Sequence, residues 1–298
     1  MRLITLRERT GERRLGVEFG GRALLATDFL AGGPRTIDEL LAGGAAAVTR
    51  LASAAARDRI QAEGVAIEDL RLEAPIPRPG KVVAVGRNYP DHVTAEGSIP
   101  PTVPLLFAKW PTAVVGPRAE IRWDPGLTSK VDYEAELGVV IGRRTRRVEE
   151  AEALGCVLGY TCINDVSARD LQFADVQWVR GKSLDTFCPM GPVIVTADEI
   201  ADPDNLTVSC RVNGVELQSA STARMFFSVA RLISFCSEAF TLEPGDVIAT
   251  GTPSGVGAFR QPPRYLGDGD VVTVSVEGIG DLTNTCRYDP QPLMGMSR

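Results

Sequence analysis

The chain has 298 residues, 44% of them hydrophobic and 23% charged, which is the composition of an ordinary folded protein. Its net charge is −6 at pH 7, and its one basic cluster, RRTRR at 143–147, predicts a solvated turn rather than a nucleic-acid-binding surface. No apolar segment approaches the ~20 residues that span a bilayer, and residues 1–14 are too charged for a signal peptide. We therefore expect a cytoplasmic protein without nucleic-acid or membrane partners.

The first part of the chain predicts a small α/β region. Residues 1–30 carry short alternating runs that are typical of strands, and residues 36–64 form an Ala-rich helical pattern. Thr36 is placed to cap this helix and Gly64 to end it. Three prolines and a glycine within 72–81 then indicate a boundary. We predict a small N-terminal domain at 1–72 and a larger domain at 73–298.

From Lys81 onward the chain is rich in short, β-branched segments. Turn signals separate them, and two helical patterns, at 167–178 and 225–240, interrupt them. This alternation is too irregular for a doubly wound parallel sheet, so it favours a mixed, strand-rich α+β domain. The last residues, 289–298, are predicted to be a loose tail.

The segment VDYEAELGVVIG, at 131–142, concentrates negative charge. In a strand, Asp132, Glu134 and Glu136 point to one face, where neighbours about 6.6 Å apart repel by roughly 2.5 kcal/mol at an effective dielectric near 20. One interpretation is a solvated strand face. The apolar GVVIG that follows favours the other, in which a divalent cation offsets the repulsion.

A third ligand is offered by Asp165, where the strand-like YTCIN gives way to a helical pattern. Asp165 is also placed to be a helix N-cap that holds only a backbone amide. Arg169 and Gln172 follow at i+4 and i+7, so the three side chains are predicted to lie near one helical face. An acid beside a guanidinium and an amide suits a metal-bound carboxylate substrate.

His92 is the one histidine of the chain, and the six cysteines are dispersed, so the residues of a Cys/His zinc site are missing. Glu96 follows His92 by four residues, a spacing at which a helical turn would bring the carboxylate against the imidazole. A purely structural histidine is the alternative. We take His92 and Glu96 as a candidate catalytic pair.

Two glycine-rich segments do not form nucleotide sites. RGKS at 180–183 lacks the first glycine of a phosphate-binding loop, because Val176 stands there. ATGTPSGVG at 249–257 lacks the dinucleotide-binding frame. It predicts a tight loop that presents amides and the Thr252 hydroxyl to a ligand.

Seven motifs occur in an order that resembles the fumarylacetoacetate hydrolase family, in its branch of short bacterial and mitochondrial members. The match covers about 80–286 and is carried by GRNYPDH, PLLFAKWPTAVVGP, DYEAELGVVIG, GYTCINDVSARDLQ, RGKSLDTFCPMGP, PGDVIATGTPSGVG and VEGIGDLTN. The resemblance implies a mixed β-sandwich roll, a homodimer, and Mg²⁺ or Mn²⁺ held by Glu134, Glu136 and Asp165. It also implies a small 2-oxo acid substrate, contacted by Arg169, Gln172, Lys182 and Thr252, with Asp132 behind the ligands.

The resemblance implies a metal-dependent hydrolase that cleaves a carbon–carbon bond of a 2,4-dioxo acid such as an acylpyruvate. His92, oriented by Glu96, would activate water, and Lys182 would stabilise an enolate. Many members place the acid three residues after the histidine, where this chain has Ala95. The alternatives are a decarboxylase of oxaloacetate-like acids, an isomerase or decarboxylase of unsaturated 2-oxo dioic acids in aromatic catabolism, and an inactive ligand-binding relative.

Overall fold

A computed structural model describes residues 1–289, which contain nineteen strands and nine α-helices. The strands are β1 (Arg2–Arg7), β2 (Arg13–Phe19), β3 (Arg22–Leu25), β4 (Val65–Ala66), β5 (Leu72–Glu73), β6 (Val82–Gly86), β7 (Leu105–Lys109), β8 (Val114–Val115), β9 (Glu120–Trp123), β10 (Val131–Asp132), β11 (Ala135–Ile141), β12 (Val157–Asn164), β13 (Ser167–Ala168), β14 (Cys188–Thr196), β15 (Thr207–Val212), β16 (Val215–Ser221), β17 (Val247–Ala249), β18 (Val271–Val276) and β19 (Gly280–Tyr288). The helices are α1 (Ala26–Phe29), α2 (Ile37–Ala42), α3 (Gly44–Ala54), α4 (Arg57–Glu63), α5 (Pro90–Glu96), α6 (Glu150–Ala153), α7 (Arg169–Ala174), α8 (Val179–Lys182) and α9 (Val229–Ala239).

Two sheets form the body of the protein. The larger one has twelve strands, in the order β4-β3-β2-β1-β14-β12-β11-β17-β6-β7, with β5 paired to β1 and β8 to β14. The smaller one has the order β16-β15-β18-β19-β9. Most pairs are antiparallel, whereas β14 with β8, β17 with β6 and β19 with β9 are parallel. This architecture confirms the predicted mixed α+β fold.

The central strand β11 is buried along its whole length because both of its faces meet apolar partners. Val139 belongs to the core that it shares with Val274 and Leu282 of the smaller sheet. Its neighbour Val140 points to the opposite face and joins a second core with Leu51 of α3. Burial on both faces explains why this segment is continuously apolar rather than alternating.

The N-terminal strands are present as predicted, but the single long helix at 36–64 is wrong. Three short helices, α2, α3 and α4, occupy this segment, with breaks at Gly43 and at 55–56. The Thr36 hydroxyl accepts a hydrogen bond from the Glu39 N–H at 3.2 Å, and Gly64 follows the last helical residue, so both predicted ends are confirmed. Ala-rich composition indicated the helical state, whereas packing against the sheet decided where the chain turns.

The larger sheet runs across the predicted domain boundary. Strand β1 pairs antiparallel with β14 of the second region, with Arg2 opposite Val195 and Leu3 opposite Ile194. Strand β5, at the boundary itself, pairs with the other edge of β1. The division at residue 72 stays a prediction.

The later helical patterns are shorter in the structure than in the sequence. The pattern at 167–178 yields only α7, because α8 begins one residue beyond it, whereas the pattern at 225–240 yields α9 with Ser228 as its N-cap. Of the predicted tail, residues 290–298 lie outside the described part of the chain. Within residues 1–289, no helix has the length and apolarity needed to cross a membrane.

Leu3 tests whether β1 is an integral strand of the larger sheet. It is fully buried between that sheet and the N-terminal helices, so Leu3→Ala should lower the free energy of unfolding by about 2–5 kcal/mol in chemical denaturation. Leu154→Ala, at a side chain that is 40% exposed, is the control and should have little effect. One cooperative transition is expected in both variants. Separate loss of the first 72 residues would contradict a shared sheet.

Candidate active site

Two neighbouring strands bring the predicted metal ligands together. Glu134 lies just before β11 and Asp165 just after β12, and these strands are antiparallel, so both residues lie at the same end of the pair. The Asp165 N–H donates to the Glu134 carbonyl at 2.9 Å, and the Glu134 N–H donates to Asn164 Oδ1 at 3.0 Å. Carboxylate oxygens of Glu134, Glu136 and Asp165 lie within 4.8 Å of one another, and all three side chains are buried.

Asp132 is separated from this trio by a break between β10 and β11. Its carboxylate accepts hydrogen bonds from Arg169 Nε at 2.8 Å, from the Gly257 N–H at 2.7 Å and from the Ala258 N–H at 3.0 Å. A side chain on Gly257 would collide with the Arg264 carbonyl and approach Asp132, so glycine permits this contact. Asp132 therefore holds Arg169 and a loop, as expected for a residue behind the ligands.

Asp165 is not a helix N-cap, so that alternative is wrong. The residue before α7 is Ala168, and α7 begins only at Arg169. The Asp165 side chain instead contacts two buried lysines, Lys182 through Oδ2 at 2.8 Å and Lys109 through Oδ1 at 2.5 Å. Asp165 thus precedes α7 and does not share a helical face with Arg169 and Gln172; Lys182 links it to Glu134, which Arg169 also contacts.

Three cations surround the acidic cluster. Lys182 Nζ lies 2.7 Å from Glu134 Oε2, and Arg169 Nη2 lies 2.6 Å from Glu134 Oε1. The third cation, Lys109, also donates to the carbonyls of Val166 and Lys182. Sequence reasoning missed Lys109, although a lysine at the end of the apolar segment LLFAK was a visible signal.

The charges of this centre do not balance. By formal charge, four buried carboxylates, those of Asp132, Glu134, Glu136 and Asp165, exceed the three cations by one. Burial, followed by the negative charges of Asp165 and Glu134, raises the pKa of Glu136 well above its ordinary value. Burial also raises the pKa of Glu134, but Lys182 and Arg169 outweigh it and leave that pKa below the usual range. Glu136 is therefore the carboxylate of this cluster whose ionisation is most strongly disfavoured.

A divalent cation with oxygen ligands fits this donor set. Glu136 Oε2 accepts one hydrogen bond, from the Gly251 N–H at 2.9 Å, whereas Glu134 and Asp165 are paired with lysine. Three converging carboxylates are ligands that Mg²⁺ and Mn²⁺ accept readily, while zinc prefers nitrogen and sulfur. The structure brings the predicted ligands together, and the choice between Mg²⁺ and Mn²⁺ stays a prediction.

His92 lies in the wall of the cavity that opens onto the acidic cluster. Its ring meets Phe259 edge-on, with 5.8 Å between the centroids. Burial lowers the pKa of His92, and the opposing effect of Glu134 does not restore it. Its Nδ1 is buried and has no hydrogen-bond partner within residues 1–289. The side chain is thus a neutral imidazole with a ring nitrogen that no protein group uses.

Glu96 lines the same cavity but is bonded to a different residue. Its carboxylate accepts hydrogen bonds from Arg87 Nε and Nη2, both at 2.8 Å. In the described part of the chain, no hydrogen bond joins Glu96 to His92. The structure therefore places both residues of the candidate pair at one cavity without the contact that a catalytic dyad needs, and their pairing stays a prediction. Arg87 itself was missed by sequence reasoning.

The other predicted substrate contacts also reach the cavity. Gln172 Oε1 accepts a hydrogen bond from Arg169 Nη1 at 2.9 Å. The Thr252 hydroxyl donates to the Ala135 carbonyl at 3.0 Å and accepts from Gln218 Nε2 at 2.8 Å. Thr252 is therefore committed to holding its loop against β11. Aromatic residues that the motif analysis did not single out complete the wall: Phe107, Phe173, Trp178 and Phe259.

Glu136 and Glu134 provide a matched test of the charge imbalance. In metal-free protein, Glu136→Gln removes the excess charge and keeps an oxygen for the Gly251 N–H, so its Tm should be unchanged or higher by about 2–4 °C. Glu134→Gln weakens the buried ion pairs of Lys182 and Arg169, which keep Asp165 and Asp132 as partners, and should lower the free energy of unfolding by about 1–3 kcal/mol. Thermal denaturation with a chelator measures both. Greater destabilisation by Glu136→Gln than by Glu134→Gln would refute the imbalance.

Arg169→Lys should not behave as a conservative change. A lysine cannot reproduce the planar contacts with Asp132, Gln172 and Glu134, so the free energy of unfolding should fall by about 2–4 kcal/mol. The control is Arg122→Lys, at an exposed arginine that is paired with Glu120 on β9. Chemical denaturation of the two variants should separate them. Equal free energies of unfolding would show that the buried guanidinium of Arg169 contributes little to stability.

Comparison with known proteins gives a consistent result. Residues 81–287 match the family model described as the fumarylacetoacetate (FAA) hydrolase C-terminal domain. Over 274 residues, 91% of this chain and 86% of the relative, the chain is 42% identical to the mitochondrial oxaloacetate tautomerase FAHD2A of Bos taurus. It is 45% identical to the oxaloacetate tautomerase YisK of Bacillus subtilis over 221 residues, 73% of each chain. A solved fumarylacetoacetate hydrolase from Exiguobacterium antarcticum is 41% identical and superposes with a TM-score of 0.82, covering 97% of this chain and 100% of that one. The chain belongs to the fumarylacetoacetate hydrolase family.

Proposed function

We propose that this chain catalyses the keto–enol tautomerisation of oxaloacetate or a closely similar 2-oxo dicarboxylic acid. Two relatives named oxaloacetate tautomerases support this substrate. A reaction on oxaloacetate-like acids, expected from the sequence as decarboxylation and as an alternative to acylpyruvate cleavage, has better support from these relatives than the hydrolase. A homodimer and a place in aromatic catabolism remain predictions from the family resemblance.

The main support for this proposal is the hydrogen-bond partner of Glu96, which is Arg87. Hydrolysis needs a base that is oriented to activate water, and the acid expected to orient His92 is bonded to Arg87 instead. Tautomerisation needs no attacking water. It requires a group that moves a proton at C3 and donors that hold charge on the C2 oxygen, and both are available in this cavity.

The charge of the centre favours an anionic substrate. A divalent cation at Glu134, Glu136 and Asp165 would turn the excess of one negative charge into an excess of one positive charge. A 2-oxo carboxylate would then restore neutrality in a buried site, where unbalanced charge is costly. When bound, such a cation supplies a Lewis acid that polarises the 2-oxo group.

Different side chains of the cavity would transfer the proton, stabilise the enolate oxygen and orient the carboxylate. His92, whose side chain lines the cavity, would accept the proton from C3 on a ring nitrogen and return it in the reverse direction. Lys182 Nζ donates to Glu134 and Asp165, which leaves its third N–H for an oxygen of the substrate. Arg169 and Gln172 line the same wall and orient the carboxylate. Loss of CO₂ from oxaloacetate would form the same type of enolate, so decarboxylation is the neighbouring activity.

The proposal is tested with oxaloacetate supplied as its enol, whose absorbance decays as the keto form appears. We expect faster turnover of oxaloacetate than of acetylpyruvate. Chelation should abolish it, and Mg²⁺ or Mn²⁺ should restore it better than Zn²⁺. Preferred cleavage of acetylpyruvate would support the hydrolase interpretation instead. Full activity in metal-stripped protein would exclude the metal role.

His92→Ala should lower the tautomerisation rate by about 10²–10⁴, the usual contribution of a positioned base. Thr94→Ala is the control, because Thr94 lies on the same helix, α5, but is exposed. Its rate should stay close to that of the parent protein. If His92→Ala retains full activity while metal dependence persists, another group moves the proton.

A further inference from the structure

Arg87 holds a guanidinium in the wall of the active-site cavity. It follows β6 directly and has a positive φ of 58°, a backbone conformation that non-glycine residues adopt uncommonly. Its Nε and Nη2 both donate to the Glu96 carboxylate, and its guanidinium carbon lies 5.7 Å from the centre of the Trp178 ring. Two independent contacts therefore fix the orientation of this side chain.

One edge of the guanidinium remains available. Arginine has five N–H donors, and Glu96 uses the edge formed by Nε and Nη2. Within residues 1–289, Nη1 donates to no protein group, and the side chain keeps 31% of its surface exposed. The free edge has the planar geometry that binds a carboxylate through two hydrogen bonds.

Arg87 also differs from the other cations that line the cavity. In the described chain these are Arg169 and Lys182, and both contact Glu134 of the acidic cluster. The metal-loaded cluster has charge for one carboxylate only. A second carboxylate on the same substrate would need hydrogen-bond donors outside the cluster, and the free edge of Arg87, whose charge is shared with Glu96, is placed to provide them.

We propose that Arg87 selects dicarboxylic 2-oxo acids by binding the carboxylate that lies away from the metal centre. Glu96 acts as a positioning residue that holds Arg87 in the binding orientation. This inference rests on the proposed function and deepens it, because it names the group of the substrate that is recognised. It also gives the glutamate at position 96 a role that does not depend on His92.

The test compares two substrates that differ only in the distal group. Oxaloacetate and 2-oxobutanoate exchange their C3 protons in D₂O, which NMR follows in the Mg²⁺-loaded protein. Arg87→Met keeps a side chain of similar length but removes the donors, so kcat/KM for oxaloacetate should fall about 10- to 100-fold while 2-oxobutanoate changes less than about twofold. Arg87→Lys should retain part of the preference. Arg122→Gln, at the exposed pair with Glu120, should leave both substrates unchanged.

A binding measurement keeps this inference separate from the proposed reaction. Malate and lactate differ by the same distal carboxylate, and calorimetry with Mg²⁺-loaded protein gives the ratio of their Kd values. The parent should prefer malate, and Arg87→Met should remove the preference, even if neither 2-oxo acid turns over. An equal loss for both substrates, or a malate preference that survives Arg87→Met, would overturn the role of Arg87. Failure of the parent to exchange either substrate would count against the proposed function alone.

Discussion

A buried excess of negative charge is the constraint on which this site depends. Within residues 1–289, Asp132, Glu134, Glu136 and Asp165 lie in the interior with three cations beside them. Burying unpaired charge costs several kcal/mol, so the arrangement is destabilising for the protein alone. The proposed divalent cation and anionic substrate would offset this cost. Glu136, whose pKa is raised by burial and by its acidic neighbours, is where the imbalance is most evident.

The two-sheet body makes this imbalance tolerable. Strand β11 is buried on both faces, and the loops around 251–258 donate backbone N–H groups to Glu136 and Asp132. Gly251 has a positive φ of 101°, and a Cβ at this position would lie 2.8 Å from the Asn88 Cβ, so a side chain there would be strained. Rigid strands and glycine turns thus hold carboxylates at separations that free side chains would avoid. Preorganisation of this kind is what an oxygen-rich metal centre requires.

The acid near His92 stands one residue later than in many family members. It lies at position 96 and bonds to Arg87. One helical residue rotates a side chain by about 100°, enough to direct Glu96 to another neighbour. Burial lowers the pKa of His92, and its Nδ1 has no hydrogen-bond partner within residues 1–289. A histidine of this kind can move a proton to and from a carbon atom. That reaction needs no activated water molecule.

The sequence by itself determined the strand-rich α+β class and the ends of the first helical region at Thr36 and Gly64, and it predicted Glu134, Glu136 and Asp165 as metal ligands. These follow from local periodicity, capping chemistry and repulsion between neighbouring carboxylates, all of which act over a few residues. Only the tertiary structure decided the two breaks in the first helical pattern, the entry of β1 into the larger sheet, and the partners Lys109 and Arg87. Lys109 lies 56 residues before Asp165, and its burial depends on strands that meet only in the folded protein. Contacts between distant segments leave no periodic pattern in the sequence, because their free energy comes from packing and charge pairing that exist only after folding.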